Sequence, residues 1–262
     1  MLGAQNNIEL KLKQMYDAHF CCDGKCECFN ACCNTMQFAA ESSIICNRNL
    51  KIGKRYGEKA KILFIGKENK NRSAGLTPAE PESFLTQKNQ HYNRTRFILS
   101  ALLGECDEDA MSKYDGYAFA SPNDDTLHRY FALTNHYHCV FKQKADARKY
   151  HGIKANNTMW YNCVEIVRKE IEILEPDVIV IQSGWSVKEN ALTDIKKYFN
   201  GKWDLRKTQF VGLYKAKNTE SGRICYIIGS YHPSFHLWHQ DQYLAPLKTC
   251  ILETRKMLNG EE

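Results

Sequence analysis

The chain has 262 residues, 43% hydrophobic and 25% charged, which is enough apolar material for one sizeable core and leaves no room for wholesale disorder. Its 36 basic and 30 acidic residues give a formal charge of +6, which suits a polyanionic partner without demanding one. No apolar stretch approaches the roughly 20 residues that span a bilayer. The first residues, Met1 to Asn7, lack the charged and apolar regions of a signal peptide, so a cytoplasmic protein with no membrane contact is expected.

Near the start, Ile8, Leu10, Leu12 and Met15 stand among lysines and glutamines in an imperfect helical pattern. Residues 21 to 33 read CCDGKCECFNACC, a cysteine density that packing does not require of a small hydrophobe. Twelve cysteines in the whole chain point to metal or cluster ligation, because cytosolic reductants keep thiols out of disulfides. The polar, glycine-containing stretch around residues 50 to 60 then divides a helix and cysteine-rich module, residues 1–55, from a main domain, residues 56–262. The module is expected to pack on that domain.

Ile62 to Ile65 is a continuous apolar run suited to a strand buried on both faces. The loop expected after it, Gly66-Lys67-Glu68-Asn69, offers a carboxylate and an amide where the strand leaves the sheet. Arg94 to Leu103 reads as a helix with Phe97, Ile98, Ala101 and Leu102 on one side, and Gly104 is placed to stop it. Tyr130 to Asn135 is a second apolar run with a polar end. Asn135 can donate and accept, as reading the edge of a base requires, and can equally cap a turn.

From Cys163 to Glu175, the residues Val164, Val167, Ile171 and Leu174 recur at the spacing of one helix face, and Pro176 ends the helix. Val178 to Ile181 and Ile224 to Ile228 are third and fourth buried strands. Strands alternating with helices predict an α/β fold, a three-layer α/β/α sandwich around a mostly parallel four-stranded sheet. His232-Pro233-Ser234 follows the last strand and puts an imidazole and a hydroxyl where α/β enzymes keep their chemistry.

Cys139 lies four residues after Asn135, and Cys163 opens the long helix. With two cysteines of the N-terminal group they make four thiolates, the donor set of an iron–sulfur cluster or of structural zinc, and the spacing does not select between the metals. Cys22 and Cys26 are spaced so that a short loop presents both; Cys28 with Cys32 is nearly as good. His136, His138 and His239 are expected to contact solvent or a neighbouring side chain. Cys106, Cys225 and Cys250 stand alone in apolar or helical stretches and are expected to be structural.

Taken in order, KILFIGKEN, LTNHYHC, CVEIVRKEIEILEPDVIVIQSG and IIGSYHPS resemble the iron–sulfur branch of the uracil-DNA glycosylase superfamily, collinearly over residues 60 to 235. The resemblance implies a DNA glycosylase that flips uracil or a related damaged base out of single- or double-stranded DNA and hydrolyses its N-glycosidic bond. No obligate protein partner is evident from the sequence. The resemblance further implies that Glu68 positions or activates water, that Asn135 reads the uracil edge, and that His232 stabilises negative charge on the leaving base. Gly66, Lys67 and Asn69 then belong to the substrate loop, Ser234 contacts phosphate, and Tyr92, or alternatively Phe84, stacks on the base. Lys67, Arg72 and Arg94 are candidates to hold phosphates.

The resemblance implies that Cys139 and Cys163, with two N-terminal cysteines for which spacing favours Cys22 and Cys26 among Cys21, Cys22, Cys26, Cys28, Cys32, Cys33 and Cys46, hold a [4Fe–4S] cluster, with zinc the alternative. One departure stands out. The branch carries Gly-Glu-x-Pro-Gly in its first loop, whereas this chain has Gly66-Lys67-Glu68-Asn69-Lys70, with the acid displaced by one position and the proline absent. The place of Glu68 matches the ordinary uracil glycosylases instead. The alternative expectation is therefore an inactive nucleic-acid- or nucleotide-binding member of the fold.

Overall fold

The structure is a computed structural model that describes residues 2–19, 44–46, 50–68, 90–117, 119, 124–141, 157–183, 195–199, 201–233 and 235–261. In chain order its elements are α1 (Leu2–His19), β1 (Ile44–Cys46), β2 (Lys51–Ile52), β3 (Ile62–Glu68), α2 (Gln90–Leu102), α3 (Glu108–Lys113), α4 (Asp124–Leu127), β4 (Phe131–Tyr137), β5 (Cys139–Phe141), α5 (Asn157–Leu174), β6 (Val178–Ile181), β7 (Trp203–Lys207), β8 (Leu213–Asn218), β9 (Ile224–Gly229) and α6 (Asp241–Leu258).

The four apolar runs do become adjacent strands. β4, β3, β6 and β9 lie side by side and all run parallel. The sheet, however, has seven strands and is mixed, in the order β2-β4-β3-β6-β9-β8-β7. This corrects the four-stranded expectation. β2 pairs antiparallel with β4 at one margin, and β8 and β7 add an antiparallel ribbon to β9 at the other. The two ribbon strands were missed because they alternate. Leu205, Leu213, Tyr214 and Ala216 are buried while Arg206, Lys207 and Lys217 are exposed, so neither presents the continuous apolar run of a central parallel strand.

Side-chain alternation along the central strands makes two cores, one on each face. Leu63, Ile65, Ile179, Ile181 and Ile227 meet Ile166, Val167, Ile171 and Leu174 of α5, and Leu12 and Tyr16 of α1 join them. Ile62, Phe64, Val178, Val180 and Ile228 meet Phe97, Ile98 and Ala101 of α2, and Leu244, Leu247 and Ile251 of α6. Helices therefore cover both faces, as a largely parallel sheet requires. Leu50 and Ile52, close to the division drawn near residue 55, are buried in the α5-side core.

Several element boundaries differ from expectation, those of the strands for a reason of pairing. β3 continues to Glu68 because β4 also continues, and Gly66 and Glu68 take Asn135 and Tyr137 as partners. What read as a loop is strand. The pairing of β3 with β6 stops earlier, at Ile65 and Ile181. α5 starts at Asn157, so Cys163 lies within the helix rather than opening it. At its other end Glu175 takes a left-handed conformation, φ 47°, and ion-pairs with Lys61 and Arg223 at 3.6 and 3.5 Å.

Candidate active site at the carboxyl edge of the sheet

The chain runs from β3 to β4 on one side, then crosses to β6 and β9 on the other. In strand order β3 is followed by a neighbour on one side and β6 by strands on the other, the switch point at which α/β sheets bind ligands. Across it lies a row of residues in register. Gly66 pairs with Asn135. One residue beyond the last paired positions of β6 and β9, the Gln182 amide donates to the Ile65 carbonyl at 2.8 Å and the Ser230 amide to the Ile181 carbonyl at 2.9 Å. Asn135, Gly66, Gln182 and Ser230 thus cross β4, β3, β6 and β9 in line.

Gly66 has a steric reason to be glycine. A Cβ there would lie 2.4 Å from Asn135 Oδ1, so the Asn135 carboxamide occupies the space a side chain on β3 would fill. It is partly exposed, whereas the Gln182 amide is buried and donates from Nε2 to Thr95 Oγ1 of α2 at 3.0 Å. The alternation of β4 and β6 directs Asn135 and Gln182 to the α2 side of the sheet. Gln182 was not foreseen. The signal was a single polar residue closing the otherwise apolar run from Val178 to Ile181.

His232 follows β9 in a turn closed by the Phe235 amide, which donates to the His232 carbonyl at 2.8 Å. Proline at the second position of the turn supplies the required φ in advance. Arg94, only 1% exposed, reaches this turn from α2. Its Nη1 donates to the Pro233 carbonyl and, at 2.9 Å, to the Phe235 carbonyl, while Nε donates to the Gly116 carbonyl at 3.2 Å. The guanidinium also sits over the Trp238 ring, 5.0 Å from its centroid. Burial pulls its pKa below the ordinary arginine value. Arg94 is therefore an internal tie and not the surface phosphate contact considered from sequence.

On the opposite face the same strand ends feed a closed polar network. His136 is fully buried, stacks on Tyr198, hydrogen-bonds its hydroxyl through Nδ1 and meets Ser183 Oγ at 2.9 Å through Nε2. Glu170 of α5 is fully buried as well. Its carboxylate accepts from the hydroxyls of Tyr16 and, at 2.7 Å, Thr134, and His138 Nε2 lies 3.5 Å away. These histidines face neighbouring side chains rather than solvent. Such mutual satisfaction is what a carboxylate inside a core requires.

Of the residues singled out from sequence, Gly66, Asn135 and His232 come to one edge of the sheet. Glu68 ends β3 opposite Tyr137, Lys67 precedes it, and Tyr92 lies in the first turn of α2. Asn69, Ser234, Phe84, Arg72, Cys22, Cys26, Cys28 and Cys32 lie outside the described residues. Cys163 is buried in the α5-side core. Cys139 begins β5, where antiparallel pairing sets it directly opposite Cys46. The sequence offers Cys46 as one of seven N-terminal cysteines from which two ligands could come, and its spacing favours Cys22 and Cys26 instead.

Among the described residues no three histidine, cysteine, aspartate or glutamate side chains gather as a metal site. Cys106, Cys225 and Cys250 are buried thiols whose pKa values burial raises, that of Cys250 to about 12. Thiols so disfavoured as thiolates make poor ligands, in keeping with structural roles. No helix among the described residues is long and apolar enough to cross a membrane. No protein-family model matches this chain, and no match is found among curated proteins.

Proposed function

We propose that this protein is a DNA glycosylase-like hydrolase that removes uracil or a related damaged base from DNA by cleaving the N-glycosidic bond of a flipped-out nucleotide. The observation that carries this reading is the edge itself. Asn135, seated over Gly66, and the His232 turn stand at the carboxyl ends of β4 and β9, on either side of the point where the sheet's connections diverge.

In this reading the bond from the sugar C1′ to the base breaks with its electron pair leaving on the base, while water adds to C1′ and gives up a proton. Glu68 orients that water and accepts its proton. Asn135 reads the base by donating and accepting at its edge. His232 donates a hydrogen bond to the oxygen on which the leaving base accumulates negative charge, a contact stronger in the transition state than in the ground state. Lys67 and Ser234 hold the phosphates around the target, Asn69 belongs to the same loop, and Tyr92 stacks on the base.

A tetrathiolate site accords with the donor set. Cys139 and Cys163, together with cysteines from the N-terminal group, would hold a [4Fe–4S] cluster, or zinc in its place, and the ladder position of Cys46 opposite Cys139 makes Cys46 a ligand candidate beside Cys22 and Cys26. Such a group supplies a covalent cross-link between distant segments. An inactive DNA- or nucleotide-binding member is the second reading, favoured by Glu68 lying within a paired strand instead of a free loop.

The test is abasic-site formation on a uracil-containing single-stranded oligonucleotide, with anaerobically purified protein of known iron content. Base release that disappears in Glu68→Gln and His232→Ala, with both variants folded, supports the assignment. Binding without any abasic product would favour the second reading. Release undiminished in both variants would remove these two residues from the chemistry, and colourless, zinc-containing protein would replace the cluster.

A further inference from the structure

We infer that Arg94 is the positioning residue of the candidate site, holding the His232–Phe235 turn in place from beneath through its main-chain carbonyls. The catalytic consequence rests on the glycosylase reading; the structural one does not.

Arg94 stands where a helix facing a core ought to carry an apolar side chain. It precedes Phe97 by three residues and Ile98 by four, and both are fully buried on the inward side of α2. A leucine or methionine would fill such a position without the cost of taking a guanidinium out of water. The charge is instead met by three carbonyls, those of Gly116, Pro233 and Phe235, and by the face of Trp238. Among the described residues every hydrogen-bond acceptor of Arg94 is a main-chain oxygen, so the group is spent on fixing backbone and not on pairing with an acid.

The arrangement has a direction. One nitrogen, Nη1, takes the carbonyls of Pro233 and Phe235, the second and fourth residues of the turn that begins at His232. The Phe235 amide closes the turn from the other side. Trp238, whose ring supports the guanidinium, also donates its backbone amide to the Phe235 carbonyl at 3.2 Å and its indole nitrogen to the Tyr231 carbonyl at 3.4 Å. The residues on both sides of His232 are thereby tied to α2. A planar guanidinium offers several donors at fixed angles, which an ammonium does not. A misplacement of about 1 Å at a reacting group costs on the order of 10²-fold in rate, so a rigid turn has catalytic value.

The experiment compares Arg94→Met and Arg94→Lys with the wild-type full-length protein. In hydrogen exchange, both variants should accelerate exchange at least about tenfold in residues 231–238 while leaving β3 and β4 unchanged, the signature of a local opening. No acceleration, acceleration spread evenly over the whole chain, or full protection by lysine would each overturn the inference. In single-turnover base release, Arg94→Met should lower the rate on the order of 10²-fold with oligonucleotide affinity within about threefold. In a His232→Ala background it should add no further loss, because both changes act through one group; multiplying losses would overturn the positioning role. Should the wild type release no base from any substrate, the glycosylase reading fails, and the exchange comparison still decides what Arg94 does.

Discussion

Asn135 and His136 are consecutive residues of β4, yet they belong to opposite regimes. Asn135 lies on the α2 side, partly exposed, with its amide over the backbone of Gly66. His136 lies on the α5 side, fully buried between Tyr198 and Ser183. The contrast extends to whole regions. On the α5 side, Tyr16 and Thr134 spend their hydroxyls on Glu170, and His138 Nε2 lies 3.5 Å from the same carboxylate, whereas on the α2 side Arg94 is spent on main chain and holds the edge residues in place. Polar residue type alone does not mark a site; what matters is whether the partners lie inside the protein or are left for a ligand.

This contrast can be broken most severely from the closed side. Glu170→Ala should destabilise the fold by about 3–5 kcal/mol, the usual loss when one member of a buried polar cluster is removed, read as a lowered urea midpoint; a loss within experimental error would mean that the network is not closed. Gly66→Ala forces a methyl against the Asn135 amide. A stability cost of about 1–3 kcal/mol is expected from such overpacking, together with a fall in base release on the order of 10²-fold. Retained activity would show that the amide is free to move aside.

Asn135→Ala should do the reverse of Glu170→Ala. Its unfolding free energy should stay within about 1 kcal/mol of wild type, as expected for a partly exposed side chain, while discrimination for the target base is lost in competition assays between oligonucleotides. If instead stability collapsed, Asn135 would belong with the structural residues.

The smallest effect concerns a thiol of the α2-side core. Cys250 donates to the Val211 carbonyl at 3.1 Å, and burial raises its pKa from 9.0 to about 12. The unfolded chain therefore loses this proton first. The stabilisation is complete below pH 9 and is lost as pH rises toward about 12. Unfolding midpoints measured across that window should fall more steeply in the wild type than in Cys250→Ala, and parallel curves would exclude a buried neutral thiol.

How much of this was legible in the chain depends on periodicity. The four central strands and the helices α2 and α5 were readable because apolar runs and three-to-four-residue spacing are local signals, whereas α6 was not expected from the sequence. The β7–β8 ribbon was not, since alternating charged strands at a sheet margin resemble polar loops until a neighbour supplies the pairing. The ends of β3 and β4 were misjudged for the same reason: Gly66 and Glu68 count as strand only because Asn135 and Tyr137 lie opposite.

By itself the sequence determined which apolar runs form the four central strands and that Asn135 and His232 follow those runs, because burial and chain order are written in residue type and spacing. Only the tertiary structure decided that Asn135 rests over Gly66, that Cys46 lies opposite Cys139, that Gln182 continues the row and that Arg94 ties down the turn. Each of these depends on register between strands or on contacts between residues far apart in the chain, and a one-residue change of strand register would turn Asn135 and Gln182 to the other face of the sheet.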